Sequence, residues 1–322
     1  RLGEPAIRHR TSMSFQQGVQ TVLLIGANGQ VGHALKSAGA DINTPFEWHA
    51  TTRADLDVSN FSAVKDLVRT LNPNWIVNAA AYTAVDKAES EAQLAQRINA
   101  DLPHTLAVEA QALGAAVVHY STDYVFDGQA HSPYTEADQP NPQSAYGRSK
   151  WAGEQAVKAH CEKHLVLRTC WVYGAHGGNF LKTMLRLAQH KDSLRVVADQ
   201  WGAPTSADLI ARTTLGMMHV CDSSEHPPWG TYHVSASGRT NWHAYACEAI
   251  AQAKRLGLVT RLDAEGIQAI PASDYPTPAS RPANSCLNTD KLATVLGHPL
   301  ADWHNGVQDT IQELAASGWR HL

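Results

Sequence analysis

The sequence predicts an α/β protein with a doubly wound parallel sheet and a smaller C-terminal lobe. In the first half of the chain, short apolar runs alternate with helical segments, which is the pattern of parallel strands joined by crossover helices. A glycine-rich turn follows the first apolar run and leads directly into the first helical pattern. Because ligands of such sheets bind at the carboxyl ends of the strands, we expect the functional residues there.

The individual elements follow from hydrophobic periodicity along the chain. In the first half it predicts strands at 22–25, 48–51, 75–78, 117–120 and 165–168, and helices near 31–38, 60–71, 91–113 and 147–162. In the second half it predicts strands at 194–198 and 230–235, and helices at 207–220 and 241–256. Residues 271–283 are rich in proline and serine, which predicts a surface loop that faces a ligand.

Composition argues against several classes of function. The chain has 322 residues, of which 43% are hydrophobic and 17% charged, as in a soluble globular protein with one large domain and an added lobe, or with two domains. A net charge of −4 argues against nucleic-acid binding. No apolar run approaches the ~20 residues of a membrane span, and no signal peptide is recognisable, so we expect a cytoplasmic protein. Five scattered cysteines predict reduced structural thiols.

The N-terminal residues lack any periodic pattern. Residues 1–18 are polar, and Met13 is a candidate natural start. We interpret 1–18 as a disordered extension, or as residues added by expression or by upstream translation.

The glycine turn has the spacing Gly26-x-x-Gly29-x-x-Gly32. It stands between a strand and a helix N-terminus, where backbone N–H groups and the helix dipole attract a pyrophosphate. The turn therefore predicts a dinucleotide site, although its spacing differs from the commoner Gly-x-Gly-x-x-Gly.

A phenol and an ammonium group lie four residues apart in Tyr146-Gly-Arg-Ser-Lys150. At the start of a helix, this spacing places both side chains on one face. We expect the lysine charge to lower the pKa of the tyrosine toward the range where tyrosine exchanges protons readily. Thr122, at the end of the strand predicted at 117–120, adds a hydroxyl that can bond a substrate carbonyl beside Tyr146.

These motifs occur in the order found in the extended short-chain dehydrogenase/reductase family, which the chain resembles. Asn78-Ala-Ala-Ala81 and the block Ser-Thr-Asp-Tyr-Val-Phe at 121–126 extend the likeness. Blocks at 78–91, 168–174, 199–205 and 275–282 are similar to those of members that reduce nucleotide-bound 4-keto-6-deoxy sugars, and the likeness spans roughly residues 21 to 310. The resemblance implies a Rossmann-like sheet, an NAD(P)H cofactor and a nucleotide-sugar substrate.

The resemblance also implies a role for each matching residue. Tyr146 would protonate the keto oxygen, Lys150 would hold the nicotinamide ribose, and Thr122 would polarise the carbonyl. The expected cofactor-binding residues are Gly26, Asn28, Gly29, Gln30, Val31, Gly32, Arg53, Asp57, Val58, Ala81, Tyr82, Thr83, Tyr120, Tyr146 and Lys150. The expected substrate-binding residues are Thr122, Asp123, Tyr146, Trp171 and Arg281, the last as a guanidinium for the diphosphate.

The residue after the second strand bears on the choice of nicotinamide cofactor. An acidic residue there would bond the ribose 2′-hydroxyl, whereas an arginine accepts a 2′-phosphate. The first charge after the strand at 48–51 is Arg53. We therefore expect NADPH to be favoured and NADH tolerated, with Asp57 and Val58 flanking the adenine.

The resemblance further implies a division of the chain. Residues 19–171 would form the dinucleotide-binding domain, with 194–222 rejoining its sheet, and 172–193 together with 223–322 would form the substrate lobe. Some family members dimerise through magnesium and glutamates, but the helix after the turn reads His33-Ala-Leu without an acid. We therefore predict no metal site and leave a homodimer as a possible assembly. His160 and His164 lack the His-Glu-x-x-His order of a metal motif.

Two alternatives stay open. Proteins that resemble this family also act as non-catalytic regulatory subunits that keep the dinucleotide site, as in the methionine adenosyltransferase β subunit. A sister reductase would instead act on another keto sugar through an altered loop at 271–283. The joint presence of Thr122, Tyr146 and Lys150 favours an enzyme over a regulatory subunit.

Overall fold

The computed structural model describes residues 18–40, 45–258 and 261–319. Its strands are β1 (Gln20–Ile25), β2 (Phe46–Thr51), β3 (Trp75–Asn78), β4 (Ala116–Thr122), β5 (His164–Thr169), β6 (Val172–Tyr173), β7 (Leu194–Val197), β8 (Trp201–Gly202), β9 (Thr205–Ser206), β10 (Gly230–His233), β11 (Thr240–Asn241) and β12 (Ile267–Ile270). Its helices are α1 (Gln30–Gly39), α2 (Phe61–Leu71), α3 (Ala92–Gln96), α4 (Leu102–Leu113), α5 (Ala145–His160), α6 (Phe180–His190), α7 (Ala207–Ser223), α8 (Trp242–Arg255), α9 (Asp290–Leu296) and α10 (Trp303–Ala316). The extension predicted at 1–18 lies outside the described residues apart from Gly18.

Six parallel strands form the central sheet in the order β10-β5-β4-β3-β1-β2. The chain leaves β1 toward β2 on one side and returns to β3 on the other, so the strand order reverses at β1. The predicted doubly wound parallel sheet is confirmed. A crevice at the carboxyl end of such a reversal is the usual ligand site of this architecture.

The sheet is covered by helices on both faces. In β1, Val22 and Leu24 face one apolar cluster, to which α1 and α7 contribute, while Leu23 and Ile25 face a second cluster with α2, α4 and α5. Burial on both faces explains why the strands read as continuous apolar runs rather than as an alternation.

A third apolar cluster forms the core of the smaller lobe. It joins residues of α6, α8 and α10 with Val196 of β7 and Ile267 of β12. The two strands pair with each other in parallel, apart from the central sheet. Within the described residues, no helix is long and apolar enough to cross a membrane.

The prediction that 194–222 rejoins the central sheet is wrong for β7, the strand of that segment, because β7 pairs with β12 instead. Only Val196 of β7 is fully buried, whereas a central parallel strand buries both of its faces. The segment returns instead through α7, which contributes Ile210 and Met217 to the core beside α1. The sixth strand of the sheet is β10, which pairs with β5 and comes from the range expected to lie in the lobe.

Candidate active site

The glycine turn lies at the carboxyl end of β1, at the point where the strand order reverses. Gly26 has a φ of +86°, and a β-carbon there would lie 2.6 Å from the backbone nitrogen of Ala80. A β-carbon on Gly32 would lie 2.1 Å from the Gly26 carbonyl oxygen. Side chains at these two positions would therefore collide with backbone atoms, so this tight turn before α1, which we call the cradle, requires glycine. A turn of this shape, with no acidic residue in the first turn of α1, suits a pyrophosphate.

A loop of the smaller lobe contacts the same turn. His176 Nε2 lies 2.9 Å from the carbonyl oxygen of Asn28, and the His176 ring stacks on His33 with 4.1 Å between centroids. Asn179 Nδ2 donates to Gln30 Oε1 at 2.9 Å. The lobe thus approaches the predicted phosphate-binding residues directly, while Val31 packs against the core.

The ends of β1 and β2 are joined by hydrogen bonds. The backbone nitrogens of Gly26 and Ala27 donate to the carbonyl of Thr51 at 3.2 and 3.0 Å. Arg53 follows two residues later and is exposed. Its charge therefore stands at the same edge of the sheet as the glycine turn.

Asp57 and Val58 lie farther along the same edge. Asp57 Oδ1 accepts hydrogen bonds from the nitrogen and the hydroxyl of Ser59 at 2.9 and 2.7 Å. These bonds fix the turn before α2, and Val58 packs against the apolar cluster behind it.

The segment after β3 is held by Asn99, which the sequence analysis did not identify. Asn99 Oδ1 accepts from the nitrogen of Tyr82 at 2.8 Å, and its Nδ2 donates to the Tyr82 carbonyl at 3.0 Å. Ala81 and Thr83 flank that residue. Asn99 lies in the π-helical turn Arg97–Asp101, which interrupts the helix predicted at 91–113. The signal in the sequence was an asparagine inside a helical pattern, where its side chain competes for the backbone.

Helix α5 carries the phenol and the ammonium group. The side chain of Ser144 caps the helix by accepting from the nitrogen of Gly147 at 3.0 Å, so α5 begins just before Tyr146. Lys150 is only 3% exposed, and its Nζ donates to the carbonyl of Tyr120 at 2.5 Å. The backbone of β4 therefore fixes the position of the lysine.

Thr122 ends β4 beside Tyr146. Its hydroxyl donates to Asp123 Oδ1 at 3.0 Å and accepts from the nitrogen of Tyr124 at 3.2 Å. The Thr122 hydroxyl also acts on the phenol of Tyr146, whose pKa it lowers. The strand end and the helix start thus bring two hydroxyl groups together at one point.

Burial dominates the electrostatics of this group. It raises the pKa of Tyr146 well above its usual value; the Thr122 hydroxyl opposes this rise, and the charge of Asp123 adds to it. The prediction that the Tyr146 pKa is lowered is therefore wrong, because loss of solvent penalises the phenolate. Burial also lowers the pKa of Lys150 to about 8, while Glu154 opposes that fall. At neutral pH, Tyr146 holds its proton and Lys150 is mostly charged.

Asp123 is the buried carboxyl group next to this pair. It is 3% exposed, and burial raises its pKa to about 6. Its Oδ2 has no hydrogen-bond partner within the described part of the chain. An unpaired buried oxygen of this kind is an available acceptor for a hydroxyl group.

Trp171 has an unusual backbone conformation for a large residue, with a φ of +48°. Its ring stacks on Trp242, with 3.6 Å between centroids. A β-carbon on Gly202 would lie 2.6 Å from the same ring, so glycine makes room for it. Strained backbone of this type tends to occur at functional sites.

Arg281 is held by an acidic residue that the sequence analysis did not identify. Its Nη2 donates to Asp86 Oδ2 at 2.7 Å, and Asp86 Oδ1 accepts from the nitrogen of Ala279 at 3.1 Å. The charge of Arg281 also lowers the pKa of Tyr124, although burial, the larger effect, raises it. The ring of Tyr124 contacts that of Tyr146 edge-on at 5.5 Å. The loop at 271–283 therefore lies close to the phenol.

Tyr120 does not present its side chain to this site. Its hydroxyl lies 2.7 Å from Thr214 Oγ1, inside the apolar cluster beneath α7. What Tyr120 contributes is its backbone carbonyl, which binds Lys150. Tyr120 lies on the same face of β4 as Ala116 and Val118, which belong to that cluster too, as the alternation of side chains along a strand requires.

The histidines considered as metal ligands contact the backbone. His160 Nδ1 lies 2.9 Å from the carbonyl of Ala156, and His164 Nδ1 lies 2.6 Å from that of Cys161. Within 18–40, 45–258 and 261–319, no group of three or more histidine, cysteine, aspartate or glutamate side chains is arranged to hold a metal ion. All five cysteines are free thiols.

Known proteins resemble the chain over most of its length. The family model described as RmlD substrate binding domain matches residues 20–316. The dTDP-4-dehydrorhamnose reductase of Escherichia coli K12 is 45% identical over 295 residues, which cover 91% of this chain and 97% of that protein. The enzyme of the same name from Shigella flexneri is 44% identical with the same coverage.

Solved structures agree with these relatives. A dTDP-4-dehydrorhamnose reductase from Bacillus anthracis, in complex with NADP, superimposes with a TM-score of 0.83 at 33% identity and covers 91% of this chain and 99% of its own. A reductase of the same name from Clostridium acetobutylicum gives a TM-score of 0.83 at 37% identity, with the same coverage.

Proposed function

We propose a reaction for this chain from the premise that it belongs to the RmlD substrate binding domain family. The protein catalyses the NADPH-dependent reduction of dTDP-4-dehydro-L-rhamnose to dTDP-L-rhamnose, a precursor step of rhamnose-containing polysaccharides. The names of its relatives support this reaction. The observation that carries the proposal is the group formed by the buried Thr122 and Lys150 and the half-buried Tyr146 at the carboxyl edge of the sheet.

Tyr146 is the proton donor of the reaction. When NADPH is bound, it supplies the hydride that adds to the carbonyl carbon at C4 of the sugar. The oxygen gains negative charge in that step and takes the phenol proton of Tyr146, which burial keeps in place at neutral pH. The Thr122 hydroxyl, which otherwise donates to Asp123 Oδ1, donates instead to the same oxygen and stabilises the developing charge.

Lys150 supplies positive charge behind the phenol. The carbonyl of Tyr120 fixes its Nζ at 2.5 Å, so little reorganisation is needed during the reaction. The charge stabilises the phenolate left after proton transfer, and it holds the ribose hydroxyls of the cofactor. A regulatory subunit without catalysis has no need of this combination, which favours the enzyme.

The cradle of Gly26, Gly29 and Gly32 receives the cofactor pyrophosphate at the N-terminus of α1. Arg53 pairs with a 2′-phosphate, so NADPH is favoured and NADH is tolerated. The solved relative in complex with NADP supports this preference. Catalytic efficiencies measured with the two cofactors test it, and a clear advantage of NADH would contradict it.

The substrate lies between the sheet and the smaller lobe. The free oxygen of Asp123 accepts from a sugar hydroxyl, and Trp171 packs against the sugar. Arg281 uses the N–H groups that Asp86 leaves available to bind the diphosphate. A reductase for a different keto sugar would differ from this one in the loop that carries Arg281.

We further propose that the protein is cytoplasmic and that a homodimer, if it forms one, does not depend on magnesium. The absence of an acid in the first turn of α1 supports metal independence. Light scattering after size exclusion, with and without EDTA, tests this assembly, and an EDTA-dependent change in mass would contradict it.

The reaction is tested by following NADPH absorbance with dTDP-4-dehydro-L-rhamnose. The wild type should oxidise NADPH, whereas Tyr146→Phe should lower kcat by about 10³-fold because the phenol proton is lost. The NADPH dissociation constant of Tyr146→Phe should stay within about twofold, since the ring remains. Full turnover by the variant would show that Tyr146 is not the proton donor. If the wild type binds NADPH but does not oxidise it with this sugar, another sugar or a regulatory subunit is favoured.

A further inference from the structure

A fully buried carboxylate lies behind the catalytic pair. Glu154 is on α5, eight residues after Tyr146 and four after Lys150, so the three side chains follow one face of the helix. Its exposed fraction is 0%. A buried carboxylate is costly unless charges or hydrogen bonds compensate it, so the partners of Glu154 indicate what it stabilises.

Glu154 joins α5 to two neighbouring strands. Arg168 Nε donates to Glu154 Oε1 at 2.8 Å, and Arg168 Nη2 donates to Oε2 at 2.7 Å. The Ser121 hydroxyl donates to Oε1 at 2.6 Å. Ser121 of β4 and Arg168 of β5 are register partners in the sheet. One carboxylate therefore fixes the helix of Tyr146 and Lys150 against the strand position immediately before Thr122.

Among the groups around Lys150, Glu154 is the one whose charge favours the charged form of the lysine. From β4, Lys150 faces the carbonyl of Tyr120 and the buried His119, whose pKa is held well below its usual value by burial and by the lysine charge. From its own helix, Lys150 faces Glu154, which opposes the fall of its pKa to about 8. Two other cations, Arg168 and Lys158, form ion pairs with Glu154 Oε2 at 2.7 and 3.3 Å.

We propose that Glu154 is a positioning residue that holds Lys150 and Thr122 in register and keeps Lys150 charged over the working pH range. This inference rests on the role of Lys150 in the proposed function. A purely structural ion pair between Glu154 and Arg168 would affect folding alone. A positioning residue must also change how cofactor binding and turnover depend on pH.

The test compares two variants that should shift the pH dependence of NADPH binding in opposite directions. Glu154→Gln keeps the size of the side chain but removes its charge. The alkaline limit, which is the pH above which NADPH binding and kcat/KM fall as Lys150 loses its proton, should therefore move to lower pH by about one unit. Arg168→Gln leaves the carboxylate less compensated, so the same limit should move to higher pH. Movement of both limits in the same direction, or of neither, would overturn the proposal.

A matched control separates charge from loss of packing. Glu109 of α4 is another buried carboxylate paired with an arginine, Arg69, at 2.7 and 2.8 Å, and it lies away from the site. Glu109→Gln should lower the melting temperature and leave the pH limit unchanged. An equal shift in Glu109→Gln would show that destabilisation alone moves the limit, and would overturn the proposal.

Glu154→Gln leaves the guanidinium of Arg168 buried and unpaired, which can prevent folding. In that case a second variant replaces it. The double variant Glu154→Gln, Arg168→Gln removes both charges together. Its alkaline limit should lie below that of Arg168→Gln alone, and an identical limit would overturn the proposal. Fluorescence of bound NADPH reports these limits without any sugar. Failure of the wild type to reduce the proposed sugar would therefore not affect this test.

Discussion

The two halves proposed for the site, one for the dinucleotide and one for the substrate, are built in different ways. In the first, backbone geometry sets the positions, because Gly26 and Gly32 shape the turn and a carbonyl of β4 fixes Lys150. In the second, side chains from distant segments hold each other, as Arg281 does with Asp86, 195 residues away. Backbone-built sites leave compact motifs in a sequence, whereas sites held by long-range side-chain pairs do not.

The largest effect should come from breaking the backbone-built half. In Gly32→Ala, the new β-carbon would meet the Gly26 carbonyl oxygen at 2.1 Å and Ala27 Cα at 2.9 Å. Since neither backbone atom can move away easily, we expect the NADPH dissociation constant to rise by at least about 100-fold, or about 2.8 kcal/mol. Fluorescence titration measures it.

Gly178→Ala is the matched control for that change, because a β-carbon there would have no heavy atom within 4 Å. Its NADPH affinity should stay within about twofold of the wild type. Wild-type affinity in Gly32→Ala would contradict the account of the cradle.

An intermediate effect should come from the substrate half. In Arg281→Met, loss of the guanidinium should raise KM for the nucleotide sugar about tenfold with little change in kcat, because the proton donor is untouched. Asp86→Asn should raise KM by a smaller factor, since it removes only the charge that orients Arg281. Steady-state kinetics separates the two parameters.

Arg261 provides the control for this pair. It forms a similar ion pair with Asp192 at 2.6 Å on an exposed surface, and Arg261→Met should leave KM unchanged. Equal changes of KM in Arg261→Met and Arg281→Met would show that Arg281 does not bind the diphosphate and acts only as a surface cation.

The smallest effect should come from the aromatic support of Trp171. Trp242→Leu removes the ring stacked at 3.6 Å and should raise KM about threefold, because Trp171 loses a stack of roughly 0.5–1.5 kcal/mol. NADPH binding should not change. A loss of NADPH affinity larger than the change in KM would contradict the division of the site into two halves.

Much of the fold could be predicted because local pattern and burial agree in the sheet. The strand predicted at 75–78 matches β3 (Trp75–Asn78), and the helix predicted near 147–162 begins at Ala145. The glycine turn and the Tyr146 to Lys150 spacing were readable because each depends on residues only a few positions apart.

The remainder depends on contacts that no local pattern encodes. The strand at 194–198 was recognised, but its partner β12 was not, because strand pairing joins segments far apart in the chain. Asn99, Asp86 and Glu154 act through hydrogen bonds to residues that are distant in the sequence, and they carry no motif of their own. The raised pKa of Tyr146 depends on burial, which is a property of the folded chain and not of a local motif.

The most direct test of the account follows the hydride itself. NADPH carrying deuterium at C4 of the nicotinamide, on the face that is transferred, is incubated with the wild type and dTDP-4-dehydro-L-rhamnose, and the product is analysed by mass spectrometry and NMR. The account predicts a nucleotide sugar that carries deuterium at C4 of the sugar. A product without deuterium, or with deuterium at another carbon, would contradict reduction of the C4 ketone at this site.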